Sequence, residues 1–361
     1  MLCRLVAVKK EGVEYSVVSL KGRGFYSAAL EANGVTQHYF QFARFFQLAS
    51  FFEFFRLVRL IANISPDVVQ TWLYHADLIG GLAARFAGCK RVVWGIRTAD
   101  LSPALNSRFT LVVAWLCARL SSVVPASIAT CSIAAATAHK NRGYDPAKFQ
   151  VIPNGFDLTL YKPDPVARQL LRQQWGIAGN ELLFGCVARL DVYKDHPNLF
   201  QALSIAAARG LKFRCVLVGG GLIVSNTALM GLLSKYNLEN LVVLAGSRAD
   251  IPAVMGALDF HVLPSRSEAF PNVVAEAMAC GTPCIVTDVG DAALIVGDTG
   301  WVVPPGRPDL LALALEDAAK SFKNESDTTR RTETRNRVLN NFSLEKMTQS
   351  YVNLWQSVAS S

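Results

Sequence analysis

A chain of 361 residues is longer than one hydrophobic core usually supports, so two domains are expected, and a hydrophobic content of 51% excludes a disordered class. The net charge of +8 is unevenly divided: residues 1–150 hold 17 Lys and Arg against 8 Asp and Glu, a net of +9, whereas residues 151–361 hold 19 against 20, a net of −1. The basic half suits an anionic partner, either a membrane surface or a phosphate-bearing substrate, although basic residues scattered over a solvated face would read the same way. Nucleic acid is set aside, because zinc-finger spacing, an RNP-like aromatic strand and long Lys/Arg runs are all missing.

Met1–Ala7 reads as the end of a helix, and Arg4, Lys9 and Lys10 interrupt the apolar start, so no signal peptide is expected. Tyr15–Leu20 is a short buried strand. Gly22 and Gly24 form a turn, since no third glycine completes a dinucleotide fingerprint. Ala28–Asn33 is helical and stops at Gly34, and a Phe-rich helix follows. That stretch, Phe40 to Ile61, carries Phe40, Phe42, Phe45, Phe46, Phe51, Phe52, Phe54 and Phe55, broken by Arg44, Glu53, Arg56 and Arg59. It reads as core packing, or as an aromatic, basic helix lying on an anionic membrane. Leu111–Val124 is also apolar, but it contains Arg119 and is shorter than the ~20 residues of a span, so neither stretch should cross a bilayer. A cytoplasmic protein, at most peripheral on the inner face of the membrane, is expected.

Between these two stretches lie strand Asp67–Thr71, helix Asp77–Ala87 and strand Arg91–Ile96. Strand Ser127–Cys131, helix Ala134–Gly143 and strand Phe149–Ile152 come next and lead into an Asn154-Gly155 turn. The alternation predicts a parallel, doubly wound domain, in which His75 and Arg97 end strands. The second half repeats the pattern. Strands Leu182–Ala188, Phe213–Val218, Leu241–Ala245, Asp259–Leu263 and Cys284–Thr287 alternate with helices Leu199–Arg209, Met230–Tyr236, Ile251–Ala257 and one starting near Pro271. A charged stretch from Lys320 to Arg337 precedes a last helix, Leu344–Val358, with Met347, Tyr351, Leu354 and Trp355 at helical spacing. The eight cysteines lie mostly inside apolar runs without C-x2-C pairs and read as buried thiols in a reducing compartment, Cys280 and Cys284 being packing residues.

Ligands of such sheets sit beyond the carboxyl ends of the strands, and Arg189, Gly219–Gly221, Gly246–Arg248 and Glu268 all fall there. The most informative stretch is Pro264–Thr287, P-S-R-S-E-A-F-P-N-V-V-A-E-A-M-A-C-G-T-P-C-I-V-T, which sets Glu268 and Glu276 eight positions apart. Glu268 is in a loop ahead of the helix, and Pro271 suits the first turn, where its missing N–H is not needed. The amides of that turn, around Asn272 and Val273, make an anion site reinforced by the helix dipole. A phosphate there would have one carboxylate beside it and another within reach of a neighbouring hydroxyl, an arrangement that suits a nucleotide sugar. Taken alone, the pair could equally be two solvated glutamates on a capped helix. Arg189 and Lys194, five apart, are cations able to neutralise a diphosphate leaving group, or they are surface charge.

The flanks of the glutamate pair favour the first reading. Ser265, Glu268, Phe270, Pro271, Asn272, Glu276, Ala277, Met278, Gly281, Pro283, Thr287, Asp288 and Gly290 all fall in place in a pattern. It resembles the signature S-x-x-E-[GA]-F-P-N-V-V-x-E-A-M-A-x-G-x-P, then T-D-V-G, of retaining glycosyltransferases of family 4. A-R-L-D-V-Y-K-D-H resembles the family's G-R-L-x-x-x-K-[GD]-H, and P-N-G-F-D resembles its passage between domains.

The resemblance implies an α/β protein of the GT-B fold, two doubly wound Rossmann-like domains facing a cleft. Residues 1–155 would form an acceptor-side domain, 156–340 a nucleotide-sugar domain, and 341–361 a helix crossing back to the first. By resemblance, Glu268 faces the hydroxyls of the transferred sugar, the amides after Phe270, at Asn272 and Val273, hold the diphosphate, and Glu276 binds the ribose. Arg189 and Lys194 stabilise the departing diphosphate, and Gly246 and Arg248, with Asp250, meet the base. Arg97 stands at or near a position where many members place a histidine and would contact donor phosphate or sugar, an ordinary salt-bridge role being the other reading; His75 reads as structural. No Asp-x-Asp dyad occurs, so metal-independent transfer without a cofactor is expected.

Such proteins open with a strand, a glycine-rich loop and a helix, roughly 30 residues, ahead of the segment that resembles Met1–Leu5. Their lack would leave a hole in the first sheet. The implied activity is transfer of a sugar from a nucleoside diphosphate sugar to a saccharide or lipid-linked saccharide, as in polysaccharide or lipopolysaccharide biosynthesis. The rivals are a catalytically impaired nucleotide-sugar-binding protein and an epimerase.

Overall fold

The computed structural model describes residues 2–8, 12–42, 48–103, 106–322 and 326–360. The chain divides into two units, Met1–Gly155 with Leu344–Ser361, and Phe156–Ser343.

The first unit runs α1 (Leu2–Ala7), β1 (Ser16–Ser19), α2 (Ser27–Ala32), β2 (Thr36–Tyr39), α3 (Leu48–Ile64), β3 (Val69–Gln70), α4 (Tyr74–Phe86), β4 (Val92–Ile96), α5 (Arg108–Leu120), β5 (Ser127–Thr130), α6 (Ile133–Lys140) and β6 (Phe149–Val151). Strands β3 to β6 form a parallel sheet in chain order. Its central strands β4 and β5 are buried along their whole length, as a sheet covered on two faces requires. Val92, Trp94 and Ile96 pack in one core cluster with residues of α3, α4 and α5, while Val93 and Ala129 pack in another with Met347, Tyr351 and Leu354 of the chain's last helix.

β1 and β2 make a separate parallel pair. Among the described residues β1 pairs only with β2 and β3 only with β4, and the consecutive runs Ser16–Lys21 and Val68–Leu73 line one cavity of about 1230 Å³.

Two expectations need correction here. The Phe-rich stretch is not one helix: Phe40 and Phe42 follow β2, their amides donating to Ser19 O at 2.9 Å and Leu20 O at 3.0 Å, and α3 is described over Leu48–Ile64. β2 itself reads T-Q-H-Y, a short and mostly polar run with no apolar alternation, which hid it. Phe45, Phe46 and Arg44, like Lys9 and Lys10, lie outside the described residues. His75 does not end a strand; it is the second residue of α4, lines the cavity and sits with its ring 5.5 Å from that of Phe109. α4 starts earlier than its apolar pattern suggested, because Asp77 in its first turn is buried and ties two strand ends together. It accepts from Thr71 Oγ1 at 2.5 Å and from the Gly95 amide at 3.2 Å.

The second unit runs α7 (Pro165–Gln174), β7 (Leu183–Val187), α8 (His196–Ala208), β8 (Arg214–Val218), α9 (Thr227–Lys235), β9 (Val242–Gly246), α10 (Ile251–Ala257), β10 (Phe260–Leu263), α11 (Asn272–Ala279), β11 (Cys284–Thr287), α12 (Ala292–Val296), β12 (Trp301–Val303), α13 (Pro308–Phe322) and α14 (Ser326–Asn341). The remaining helix, α15 (Leu344–Ala359), belongs to the first unit. All six strands are parallel in the order β12-β11-β10-β7-β8-β9. The order reverses between β7 and β10, the point where open parallel sheets hold their ligands. α7 was not foreseen, although Asp164 caps it and Pro165 opens it. It is anchored from below by the fully buried Asp259, whose Oδ2 accepts from Arg172 at 3.1 Å and from the Leu183 amide at 2.8 Å. The other oxygen of Asp259 meets Arg168 and, at 3.3 Å, Arg331.

All eight cysteines are free thiols, six of them buried, and burial pushes Cys280 up to about 12. Among the described residues no helix is long and apolar enough to cross a membrane.

Candidate active site

The loops after β7, β8 and β9 are tied to one another through their backbones. Leu190 N donates to Gly220 O at 2.8 Å, Gly219 N to Gly246 O at 2.8 Å, and Gly246 N to Leu222 O at 3.0 Å. A side chain at Gly219 would run into the Ala188 carbonyl, so only glycine lets these two loops meet. The glycine run and Arg189 are thereby brought to one edge of the sheet.

The loop after β7 then joins the loop after β10 at the switch point. Lys194 Nζ pairs with Glu268 Oε1 at 2.5 Å, and the same oxygen accepts from Ser265 Oγ at 2.8 Å. Neighbouring residues repeat the link: Arg266 donates to both oxygens of Asp195, at 2.6 and 3.1 Å, and its amide donates to Tyr193 O at 2.7 Å. Asp195 has φ +43°, in the left-handed region where glycine and short polar residues are tolerated. Its backbone turns Lys194 toward Glu268 while its carboxylate is 98% hidden from solvent. Neither Asp195 nor Arg266 was singled out from the sequence; the alternation of Gly and Asp at that place in the K-[GD]-H pattern was the available signal, since both residues tolerate this backbone.

The loop after β11 closes the other side. Thr287 Oγ1 donates to Ser265 O at 2.6 Å, and Asp291 N donates to Ala269 O at 3.0 Å. Gly290 has φ +57°, and a Cβ there would lie 2.5 Å from Ala269 O and 2.6 Å from Glu268 O. Glu268 is therefore held from both flanks.

α11 begins immediately beyond, with Pro271 at its N-cap and no side-chain cap. Asn272 is exposed, Val273 half-buried and Glu276 buried within the same helix. Phe270 is buried and stacks on Phe156 at 6.3 Å, so its ring is a packing element and only the backbone beyond it faces the site. Arg189 is largely exposed and pairs with Asp191 at 3.3 Å. Arg248 is held by Asp250 through two bonds of 2.8 and 2.6 Å, which raises the guanidinium and lowers the carboxyl from their ordinary values. Beneath the site lie two buried imidazoles, His196 and His261, pushed down to about 4 and about 3, first by desolvation; Lys194 also lowers both.

The structure thus brings Lys194 and Glu268 into contact and ties the loops carrying Arg189, Gly246 and Arg248 together. Arg97 lies in the other unit, where it follows β4, donates to Asn154 Oδ1 and stacks its guanidinium 5.6 Å from the Trp72 ring. Among the described residues no cluster of three His, Cys, Asp or Glu could hold a metal ion.

Comparison with known proteins gives the same two-part division. Residues 5–160 match the model of Glycosyltransferase Family 4, and residues 181–321 that of Glycosyl transferases group 1. The chain is 26% identical, over 83% of its own length and 77% of the relative's, to the UDP-Gal:alpha-D-GlcNAc-diphosphoundecaprenol alpha-1,3-galactosyltransferase of Escherichia coli. It is 34% identical to the D-inositol 3-phosphate glycosyltransferase of Rhodococcus erythropolis, but there it spans 49% of this chain and only 42% of that one. Among solved structures, Anabaena HepE in complex with UDP and glucose superimposes with a TM-score of 0.82 at 26% identity, covering 99% of this chain and 95% of that one.

Proposed function

The chain belongs to the glycosyltransferases of the GT-B fold, and from that premise we propose that it moves a sugar from a UDP-sugar to a saccharide acceptor carried on lipid. Retention at the anomeric carbon, independence of a metal, and work at the cytoplasmic face of an anionic membrane belong to the same proposal, as does a place in polysaccharide or lipopolysaccharide biosynthesis. UDP is favoured because HepE was solved with it, and a lipid-linked acceptor because the Escherichia coli relative is named for one.

The observation that carries the reading is the Lys194–Glu268 pair at the switch point, beside a helix N-terminus with no side-chain cap. In the proposed reaction the bond between the anomeric carbon and the β-phosphate oxygen breaks. The acceptor hydroxyl oxygen bonds to that carbon, and its proton leaves with the phosphate. Lys194 and Arg189 take up the charge that develops on the diphosphate, helped by the first-turn amides at Asn272 and Val273 beyond Phe270. These two cations stand in for a metal, in a sequence without an Asp-x-Asp dyad. Glu268 binds the hydroxyls of the donor sugar and stabilises positive charge at the anomeric carbon. Glu276 holds the ribose, Gly246 and Arg248 border the base, and Arg97 contacts donor phosphate or sugar.

The test is calorimetric titration with UDP, GDP and ADP, then transfer of labelled sugar from the UDP conjugates to lipid-linked saccharides. Selective binding of UDP, and loss of transfer in Glu268→Ala and Lys194→Ala, are the expected results. The reading is abandoned if both variants transfer like the parent. One observation favours a second reading, nucleotide-sugar binding without turnover: among the described residues the strands of the first unit form two separate sheets, β1-β2 and β3 to β6, that line one open cavity. Saturable donor binding with no transfer to any acceptor would select it.

A further inference from the structure

We infer that the outer faces of α3 and α5 form a docking surface for an anionic phospholipid bilayer. The inference rests on the membrane-face part of the proposed function, and it names the residues that make the contact.

On α3 the solvent-facing positions repeat at helical spacing. Phe51 is 60% exposed and Phe52 72%, with Phe55, Arg56 and Arg59 exposed beside them. The rings are continuous: Phe51 lies 4.7 Å from Phe55 and 6.3 Å from Phe52, Phe55 lies 5.6 Å from Phe54, and Phe54 lies 5.8 Å from Phe86 at the end of α4. Phe86 is itself 70% exposed. Glu53 is the one carboxylate of α3, and it is half-buried and paired to Arg56 at 3.0 Å. That pairing leaves Arg59 as the outward charge of the middle turns. A chain of exposed phenylalanines is expensive to leave in water, and nothing in the core requires it, since Leu57 and Ile61 already bury the opposite side.

α5 repeats the arrangement. Both α3 and α5 pack against α4, which sits between them. The outward stripe of α5 is Arg108, Val112, Trp115 and Arg119, all exposed, with the Arg119 guanidinium 5.3 Å over the Trp115 ring. α5 contains no Asp or Glu. Two flanking helices thus present aromatic rings with arginines beside them and no outward acid.

Charge complementarity selects the occupant. The whole positive excess of the chain lies in the unit that carries these helices, 17 Lys and Arg against 8 Asp and Glu in residues 1–155, while residues 156–343 carry a net of −1. Aromatic rings that partition into the headgroup region, backed by arginines and a basic domain, suit an anionic lipid interface. Protein interfaces also favour aromatic rings and arginine; the basic excess of the whole unit and the lack of outward acid on both helices are what favour anionic lipid.

The experiment is co-sedimentation of the full chain, without nucleotide, with vesicles of phosphatidylcholine alone and of phosphatidylcholine mixed with phosphatidylglycerol. The parent should bind the mixed vesicles, more weakly as salt is raised, and bind pure phosphatidylcholine poorly. The variants Phe52→Ser/Phe55→Ser and Arg59→Glu should each lose about tenfold or more in binding to mixed vesicles. Lys235→Glu, an exposed cation in the other unit, should bind like the parent. Circular dichroism melts of each variant confirm that these exposed positions leave the fold intact. UDP titration of the same variants separates the two readings: vesicle binding with no UDP binding sinks the donor-site reading and leaves the docking surface standing. Failure of the parent to bind mixed vesicles, or equal binding by all variants, overturns the docking surface, the former pointing to a protein partner.

Discussion

In the proposed reaction Glu268 and a diphosphate would compete for Lys194, and that competition has a predictable sign. Lys194 Nζ sits 2.5 Å from Glu268 Oε1, with the two side chains 23% and 12% exposed. A charge-assisted bond of this kind is worth about 1.5–3 kcal/mol, and solvent returns part of that at such exposure, leaving about 1–2 kcal/mol. A diphosphate must break or share the bond to engage Lys194. Glu268→Gln keeps the shape, releases the cation, and should tighten UDP binding by roughly five- to thirtyfold for that energy. Sugar transfer should move the other way, falling by about two orders of magnitude, because no carboxylate then faces the anomeric carbon. Lys194→Met should weaken UDP, and in its background Glu268→Gln should change UDP affinity by less than about twofold, a coupling that a double-mutant cycle isolates. The assay is calorimetric titration of UDP at fixed ionic strength. The reasoning fails if Glu268→Gln weakens UDP as much as Lys194→Met does, or if its effect keeps full size without Lys194.

Asp259→Asn should cost the second unit about 3–5 kcal/mol, since Arg172 would remain buried without its counter-charge, and thermal unfolding should show a drop of about 6–20 °C. The Asp77 carboxyl gives a pH signature. Burial raises it to about 8, so the neutral form favours the folded state; the stability it contributes is complete below about 4 and is lost as pH rises through about 8. Urea melts at pH 5 and pH 9 should therefore differ by a few kcal/mol in the parent and much less in Asp77→Asn, which keeps an acceptor for Thr71 and Gly95. Gly290→Ala should reduce transfer at least tenfold with a smaller loss in melting temperature, because its methyl would push on the carbonyls of Glu268 and Ala269; kinetics set beside a melt distinguishes this from general unfolding.

The sequence by itself determined the parts of this protein that local chemistry writes. Apolar runs ending in glycine or charge marked five of the six strands of the second unit to within a residue or two, β12 being missed, and Pro271 with Gly281 bounded α11. Glu268 and Lys194 were legible as candidates because each follows a strand, and because the flanking patterns that resemble the family's signatures favoured them over surface charge. Their contact was not legible from spacing, since 74 residues separate them and only the order β10-β7 makes them neighbours. The same holds for the Asp195–Arg266 clamp and for Asp259 with its three arginines, whose partners lie 71 to 91 positions away. β2, reading T-Q-H-Y, was missed because a short, mostly polar strand leaves no apolar period to read, and His75 was misplaced because α4 starts ahead of its apolar pattern. Strand identity follows from the residues in hand, but pairing depends on which backbone groups find each other after the chain has crossed a helix. That choice belongs to the whole sheet, and it decides which loops share an edge and so which charges meet.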